Sequence, residues 1–422
     1  MTGQSIQMKA GDGSGTFSGY LALPPGGSGP GLVIAQEIFG VNSTMRDVAD
    51  EFAEEGYVVL VPDLFWRQQT GVELGYTPDD WTRAFGFYQG FDEAKGVQDL
   101  QTAITALRGR HEVRDFDGAA GNVGAGRVGV LGFCLGGKLA YLAACRTDAD
   151  VAVGYYGVGI DAALGEADRI TRPLLLHEAE LDKFCPPEAR DRIVDALRGH
   201  PHATLHVYPG QDHAFARNGG EHYHRASALL AHERSIAALK AAIGPNPDLA
   251  ALWDAHCALE FGARDVDATM ATMVAEPYVN HIPTMTGGVG QQQLHHFYRH
   301  HFVDSNPPDT TLTPISRTVG ATQVVDEMVF SFTHTTEVPW MLPGVAPTGR
   351  RVEVPLLAVV KFRGAKLSHE HIYWDQASVL VQVGLLDAKL VPAVGVEATR
   401  KVLDETLPSN TLMPGWAASA GQ

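Results

Sequence analysis

Between residue 31 and about residue 240, short apolar runs alternate with longer amphipathic segments. Strands of a parallel sheet that helices cover on both faces lose the alternation of apolar and polar residues and become continuously apolar. Six runs have this character: GLVIA, YVVLVPD, RVGVLGF, VAVGYYG, RPLLLHE and ATLHVYP. The pattern therefore predicts an α/β fold with a doubly wound, mostly parallel sheet.

The alternating pattern ends at AAIGPNPD, residues 241–248, where a glycine and two prolines indicate a linker. A chain of 422 residues also exceeds the size at which one core keeps growing. After the linker come three segments with a helical pattern, near residues 249–264, 266–275 and 289–303. Long alternating stretches typical of antiparallel strands follow them. We therefore predict three parts: a first domain over 1–243, an α+β domain over 249–390 and a C-terminal tail over 391–422.

The chain has 32 basic and 49 acidic residues, which gives a formal net charge of −17. A surface of this charge repels the phosphates of nucleic acids and anionic membranes, so we expect neither as a partner. The N-terminal residues lack the basic and apolar segments of a signal peptide, and no run of about 18 apolar residues follows. We therefore expect a cytoplasmic protein.

The segment GFCLG, residues 132–136, fits the GxSxG nucleophile elbow with cysteine in place of serine. In such an elbow, a strained turn between a strand and a helix exposes the nucleophile, and glycines two positions away on each side relieve crowding. Gly132 and Gly136 occupy those positions, after an apolar run and before a helical segment. Free cysteines are often simply buried packing residues. The context favours Cys134 as a nucleophile over that packing role.

A nucleophile on such an elbow requires an acid and then a histidine, each beyond a later strand. Asp182 follows the run PLLLHEAEL, and His213 follows TLHVYPGQD. Either residue alone has ordinary structural explanations. The order Cys134, Asp182, His213 predicts a Cys-His-Asp triad.

Seven segments of the first 240 residues resemble the dienelactone hydrolase (carboxymethylenebutenolidase) family of α/β-hydrolases. They are QEIFGVN (36–42), VPDLF (61–65), GFDEAKGVQDL (90–100), GFCLGG (132–137), VGYYGVG (153–159), LDKFCPP (181–187) and DHAFAR (212–217). The resemblance implies the α/β-hydrolase fold and the hydrolysis of a lactone or small carboxylic ester through an acyl-enzyme intermediate.

The resemblance also implies the role of each catalytic side chain. Cys134 would attack the ester carbonyl, His213 would act as general base and acid, and Asp182 would orient the imidazole. Glu37 matches a family glutamate that contacts the thiol and helps to form the thiolate when substrate arrives. Because free cysteine is mostly protonated at neutral pH, a nearby base makes it reactive on demand.

The oxyanion hole would consist of two backbone N–H groups, those of Leu135 and Ile38. Leu135 follows the nucleophile, and Ile38 lies in the loop after the first parallel strand. Hydrolysis of this kind uses protein side chains and water, and we expect no cofactor.

The predicted substrate pocket departs from the family pattern. Arg217 matches one of two arginines that hold the carboxylate of the lactone. The position of the second arginine holds Trp81, a nearby tyrosine position holds Phe85, and Arg83 lies two residues from Trp81. Two aromatic rings in place of a charge and a hydroxyl predict a more apolar pocket, so the natural substrate need not be dienelactone.

The second domain resembles the SnoaL-like branch of the NTF2-like superfamily through EPYVNHIP (276–283) and HEHIYWDQASVLVQVGLL (369–386). These folds are cone-shaped α+β barrels. Some members catalyse isomerisation or cyclisation, and many only bind a ligand or dimerise. Both alternatives remain for this chain, including a homodimer formed through this domain.

If the second domain is catalytic, Asp375 is the candidate base inside the cone, with His281, His369 and His371 nearby in the pattern. His369 and His371 alternate, so they share one face of a strand and could flank a ligand. The same residues could equally be the polar lining of a cavity or an interface.

One histidine pair has the spacing of metal ligands. His296 and His300 lie one helical turn apart in the segment QQQLHHFYRHHFV. The sequence shows no clear third ligand for them, and the four cysteines form no CxxC pair. We therefore predict no metal site.

Overall fold

The computed structural model describes residues 3–114 and 126–419. The chain forms two compact units, Met1–Asn246 and Pro247–Gln422. Among the described residues, no helix has both the length and the apolar character that crossing a bilayer requires.

The first unit is built on one eight-stranded sheet. Its strands are β1 Gln4–Lys9, β2 Thr16–Ala22, β3 Gly31–Ala35, β4 Val58–Pro62, β5 Val128–Phe133, β6 Val151–Tyr155, β7 Leu174–Ala179 and β8 Ala203–Tyr208. Their order across the sheet is β1-β2-β4-β3-β5-β6-β7-β8. Strands β3 to β8 pair in parallel, which confirms the α/β class and the six predicted strands. The antiparallel β1 and β2, which we did not predict, extend one edge.

Among the described residues of this unit, six helices lie between or after these strands. They are α1 Ser43–Glu54, α2 Pro78–Gln89, α3 Glu93–Arg108, α4 Leu135–Arg146, α5 Pro187–Leu197 and α6 Arg225–Ile243. A 3-10 segment, Ile160–Arg169, follows β6. Every residue of β3, β4, β5, β6 and β7 is buried, as the continuous apolar runs require for a sheet covered on both faces.

Helix α1 shows how local sequence sets these elements. The side chain of Asn42 accepts a hydrogen bond from the backbone N–H of Met45 at 3.1 Å and caps the helix. Such a cap stabilises a helix by about 1 kcal/mol. Met45, Ala49 and Phe52 are buried at intervals of three or four residues, so they form the single apolar face that packs on the sheet.

The parallel strands bring the predicted catalytic residues to one edge of the sheet. Glu37 follows β3, Cys134 follows β5, Asp182 follows β7 and His213 follows β8. The carboxyl ends of parallel strands meet at the same edge, where open α/β sheets bind their ligands.

The second unit contains a six-stranded sheet and short helices. Its strands are β9 Met273–His281, β10 Thr286–Val289, β11 Thr311–Val319, β12 Gln323–Thr333, β13 Arg351–Arg363 and β14 Lys366–Trp374. Its helices are α7 Leu249–Cys257, α8 Val266–Ala271, α9 Gly290–Phe297, α10 Gln376–Val383, α11 Glu397–Leu403 and α12 Trp416–Ser419. The sheet order is β10-β9-β14-β13-β12-β11, with a parallel pair only between β14 and β9. This arrangement is the predicted α+β class.

Several boundaries in the second unit differ from the sequence expectations. The helical segment predicted over 266–275 ends at Ala271, and its last three residues belong to β9. Helices α7 and α9 continue as π-helical segments, Ala258–Ala263 and Tyr298–Phe302. A π-turn keeps the chain helical while it rotates the following side chains, so the apolar spacing alone could not show it.

The segment predicted as a tail, residues 391–422, contains the helix α11. The hydroxyl of Thr399 in this helix is buried and donates to the backbone carbonyl of Glu353 in β13 at 2.7 Å. The last three residues, 420–422, lie outside the described residues.

Candidate active site

Cys134 lies on a sharp turn between β5 and α4. Its backbone has φ 57° and ψ −114°, a conformation that costs a residue other than glycine about 1–3 kcal/mol. The backbone N–H of Cys134 donates to the carbonyl of Tyr155 at 3.0 Å, which ties the turn to the end of β6. The geometry has the strain that a nucleophile elbow requires, as the GFCLG motif predicts.

The two glycines of the motif are required by close packing. A Cβ atom on Gly132 would lie 2.0 Å from the carbonyl oxygen of Gly136. A Cβ atom on Gly136 would lie 2.1 Å from the carbonyl oxygen of Ala35, at the end of β3. Helix α4 can therefore begin directly against β3 only because these positions have no side chain.

The imidazole of His213 contacts the candidate acid and shares a pocket with the candidate nucleophile. Its Nδ1 donates to Oδ2 of Asp182 at 2.7 Å, and its ring lines the pocket that Cys134 also lines. The other carboxylate oxygen of Asp182 accepts from the backbone N–H of Phe184 at 2.8 Å. All three triad residues are buried. The structure thus brings together the three residues that the chain order predicts.

The surroundings of His213 favour its charged form. Burial opposes a charge on the imidazole, but the Cys134 sulfur and the hydrogen bond to Asp182 outweigh burial and raise the pKa of His213 to about 10. An imidazolium beside a sulfur stabilises a thiolate, which is the nucleophilic form of cysteine. The same imidazolium can later give its proton to a leaving group.

Glu37 is buried in the same pocket, and its carboxylate contacts a cation. Its Oε2 accepts from Nη1 of Arg217 at 3.3 Å and from the hydroxyl of Tyr76 at 3.4 Å. The guanidinium of Arg217 also stacks on the ring of Tyr76, with 4.2 Å from its central carbon to the ring centre. Glu37 and Arg217 therefore form a buried, mutually neutralised pair beside Cys134.

Aromatic side chains form one wall of the pocket. Trp81 lies edge-on to Phe39, with ring centres 4.9 Å apart, and contacts Phe85 at 5.6 Å. The ring of Phe184 packs parallel to that of Trp81 at 6.5 Å. Arg83 is exposed on the same helix and lies outside this lining. The two aromatic replacements therefore face the pocket, and the neighbouring arginine does not.

Of the two candidate oxyanion donors, Ile38 lines the pocket together with Cys134. Leu135 directly follows Cys134 and is the first residue of α4, and the first N–H groups of a helix have no partner within that helix. The N–H groups of both residues therefore stay candidates for the oxyanion hole.

Sequence reasoning missed two residues that contact His213. The ring of Tyr156 lies edge-on to the imidazole, with ring centres 5.1 Å apart. The backbone of Tyr156 has a positive φ of 38°, which is unusual for a residue other than glycine. The ring of Phe184 covers another side of the imidazole at 4.9 Å. Both lie in segments that carry the family resemblance, VGYYGVG and LDKFCPP, so the signal was present in those motifs.

In the second domain, the structure places Asp375 away from the cone interior. Asp375 is exposed and caps α10, because its Oδ1 accepts from the backbone N–H groups of Ala377 and Ser378. The expectation of a base inside the cone is corrected accordingly: aspartate is a common N-cap, and this one has that role.

His369 and His371 do share one strand face, with stacked rings 4.7 Å apart. The cavity of this domain is lined instead by Glu370 and Ile372, which alternate with them on β14. Both histidines therefore face away from the cavity. His281 does line the cavity, donates to the carbonyl of Thr286 at 3.2 Å, and has its pKa lowered by burial to about 4.

The histidine pair with metal spacing is exposed. The rings of His296 and His300 lie 4.8 Å apart on the surface. In the part of the chain that the structure describes, the ligating atoms of His256, Glu260 and Glu370 form the one group close enough to hold a metal ion. That buried group was not predicted.

Comparison with known proteins matches the two parts of the chain to two families. The model of the dienelactone hydrolase family matches residues 17–243, and that of a SnoaL-like domain matches residues 253–370. A putative carboxymethylenebutenolidase of Azospirillum brasilense is 47% identical over 241 residues, which cover 57% of this chain and 99% of that protein. The carboxymethylenebutenolidase of Pseudomonas putida is 36% identical over 239 residues, covering 56% and 95%.

Solved structures include a putative dienelactone hydrolase from Klebsiella pneumoniae, which is 25% identical and has a TM-score of 0.47. The match covers 56% of this chain and 98% of that protein. The first domain has the α/β-hydrolase topology, and the second is an NTF2-like α+β domain. The chain therefore belongs to the dienelactone hydrolase family, a family of lactone and ester hydrolases, and carries a SnoaL-like domain after its hydrolase domain.

Proposed function

We propose that the hydrolase domain cleaves a lactone or small carboxylic ester through a cysteinyl acyl-enzyme, with Cys134 as nucleophile. The observation that supports this most is the arrangement in which His213 bonds Asp182 and shares a pocket with Cys134, which lies on a strained elbow. A cysteine on such an elbow beside an imidazolium is activated for attack at neutral pH.

In the first half-reaction, the Cys134 sulfur adds to the carbonyl carbon, and negative charge develops on the carbonyl oxygen. The N–H groups of Leu135 and Ile38 stabilise that oxyanion. The intermediate then collapses, the C–O bond to the alkoxide breaks, and His213 protonates the leaving alkoxide. A thioester to Cys134 remains.

In the second half-reaction, neutral His213 takes a proton from water, and the resulting hydroxide attacks the thioester carbonyl. Asp182 stabilises the imidazolium that this step forms again. Collapse of the second intermediate releases the carboxylic acid and returns the sulfur to its starting state.

The pocket favours an ester with an apolar or aromatic group and no carboxylate next to the reacting carbonyl. Trp81, Phe85 and Phe184 offer ring surface to such a group. The charge of Arg217 is balanced by Glu37, so a substrate carboxylate would gain little from it. An anion would also lose its hydration on entering this apolar pocket.

A pre-steady-state experiment tests the acyl-enzyme. An aryl ester that releases a coloured phenol should give a burst of about one equivalent of phenol per chain, followed by slower turnover. Cys134→Ala should abolish both phases, whereas Cys145→Ala, which changes a buried cysteine elsewhere, should keep the burst. Unchanged turnover in Cys134→Ala would reject the proposal.

A substrate panel tests the pocket. Matched lactones and aryl esters, with and without a carboxylate next to the ester group, should show higher kcat/KM for the uncharged member of each pair. A consistent preference for the anionic members would show that Trp81 and Phe85 do not set the specificity.

A further inference from the structure

A buried cluster of one histidine and two glutamates lies in the second domain, apart from the hydrolase site. Nε2 of His256 is 3.1 Å from Oε1 of Glu260 and 3.2 Å from Oε1 of Glu370. The three side chains are 1%, 3% and 4% exposed. From this geometry we propose that His256, Glu260 and Glu370 form a binding site for one divalent transition-metal ion.

A threonine fixes the tautomer that a metal-binding histidine needs. The hydroxyl of Thr272 donates to the carbonyl of Thr269 at 2.7 Å, so its single proton is already used. Its oxygen lies 2.6 Å from Nδ1 of His256 and must accept the Nδ1 proton. When a metal displaces the proton of Nε2, the lone pair of that nitrogen points at the two carboxylates. Metal-binding histidines commonly donate their other N–H group to such an oriented oxygen.

Two carboxylates meet in this cluster with almost no access to water. Buried carboxylates are normally paired with a cation or bound to a metal. Without a metal, the two carboxylates stabilise the protonated imidazole and raise the pKa of His256 to about 10. A divalent ion that displaces this proton would supply the same compensation.

The spacing of the donor atoms suits an ion of this kind. The candidate ligand atoms all lie within 4.8 Å of one another. Zinc binds histidine nitrogen and carboxylate oxygen at about 2.0–2.2 Å, so donors 3.1 and 3.2 Å apart subtend about 100° at the ion. That angle lies between the octahedral and tetrahedral values. One imidazole and two carboxylates suit first-row ions such as Zn²⁺ and Mn²⁺.

The site also has room for further ligands. Glu260 and Glu370 line a cavity of about 30 Å³, whose other walls are mostly aromatic and aliphatic. This volume accommodates one or two water molecules. Water or one small oxygen ligand could therefore complete the coordination from the cavity, while His256, which does not line the cavity, binds the ion from the opposite side.

The helix that carries His256 and Glu260 changes from α-helical to π-helical between these two ligands. His256 and Glu260 are four residues apart, where α7 passes into the π-helical segment Ala258–Ala263. Single π-turns occur frequently at functional sites, because they redirect one side chain within a helix. Here the turn carries Glu260, which meets Glu370 from β14.

Calorimetric titration of the full chain tests the site. After chelator treatment and dialysis, Zn²⁺ or Mn²⁺ should bind with one equivalent per chain and raise the melting temperature of the protein. Glu260→Gln and Glu370→Gln, which keep the side-chain shape, should each weaken binding by at least about 100-fold. Thr272→Val leaves the ligands intact and should weaken binding by about 10- to 100-fold.

The double variant His296→Ala/His300→Ala is the matched control, because it removes the exposed histidine pair and should keep full affinity and stoichiometry. Circular dichroism of each variant shows whether it is folded, which distinguishes lost binding from lost folding. The visible absorption of Co²⁺ bound to the unmodified chain shows independently whether protein side chains coordinate the ion. The proposal is overturned if the unmodified chain binds neither ion stoichiometrically, which would mean that the cluster only shares protons. Binding that survives both glutamine variants, or that vanishes in the control, overturns it equally.

Discussion

Arg217 donates from Nη1 to Oε2 of Glu37 across 3.3 Å, inside the pocket that Cys134 lines. Both side chains are largely buried, and the pair carries no net charge. Nε of Arg217 is buried and has no hydrogen-bond partner among the described residues. The charge of Arg217 is therefore neutralised by Glu37, while its Nε–H group remains able to donate a hydrogen bond to a ligand.

Removing the charge of Glu37 should make this cation available to substrates. In Glu37→Gln, we expect the ratio of kcat/KM for a carboxylate-bearing ester to that for its neutral counterpart to rise about tenfold, as for one hydrogen bond between charged groups. The ratio cancels any loss of rate that both substrates share. Glu73→Gln, at a surface pair with Arg46, should leave the ratio unchanged. An equal ratio in Glu37→Gln and the unmodified enzyme would contradict the prediction.

Asp182 should contribute through charge as well as orientation. Asp182→Asn keeps the size of the side chain but cannot stabilise an imidazolium at His213, so we expect kcat to fall by about 10³- to 10⁴-fold. The pKa of His213, measured by NMR titration of the ring, should fall as well. Asp212→Asn alters the adjacent carboxylate, which bonds the backbone of His213, and should change kcat by less than about threefold. Similar losses in both variants would point to a structural effect only.

The first domain was predictable because its signals are local. Each buried strand is a continuous apolar run, and the elbow, the acid and the histidine each follow one of these runs. The hairpin of β1 and β2 was missed because neither strand is a continuous apolar run, and β1 is largely exposed, with Ile6 and Met8 as its apolar residues. Their place in the sheet depends on pairing with β4, a distant strand.

The second domain shows where such reasoning fails. Alternation placed His369 and His371 on one face of β14, but only the packing of the helices decides which face meets the cavity. The cluster of His256, Glu260 and Glu370 was missed because the third residue lies more than 100 positions further along the chain. The spacing of the first two was visible, and nothing local could supply their partner.

Replacement by alanine should have opposite effects at two helical glycines, one packed against β3 and one in open space. Gly136→Ala would place a Cβ atom 2.1 Å from a backbone carbonyl and should destabilise the hydrolase domain by about 1–3 kcal/mol or more, with loss of activity. Gly86→Ala, within α2, has no atom within 4 Å of the new Cβ and should stabilise the domain by about 0.5–1 kcal/mol. The change in stability of each variant is measured by heating the protein and monitoring the loss of esterase activity. If Gly136→Ala leaves stability and activity unchanged, the elbow tolerates a larger distance between α4 and β3.

Glu178, at the end of β7, should make the stability of the hydrolase domain depend on pH. It is fully buried, and burial, together with the negative charge of Asp182, raises its pKa to about 8 from an ordinary 4.5. The folded state then binds more protons than the unfolded state between these values, so stability is highest below pH 4.5 for this group and is lost as the pH rises towards 8. A shift of this size corresponds to a loss on the order of 5 kcal/mol.

His213 acts in a later window, because its pKa is raised to about 10 from 6.5 and its contribution is lost between those values. The interval from pH 5 to 6.5 therefore separates Glu178 from His213, and a comparison with Glu178→Gln removes the contributions of the other groups that titrate there. In Glu178→Gln, the free energy of unfolding from urea titrations should fall less over this interval than in the unmodified chain, whereas the exposed Glu221→Gln should leave the slope unchanged. If all three proteins share one slope, Glu178 is ionised in the folded domain already at pH 5, and its carboxylate must be stabilised by its surroundings.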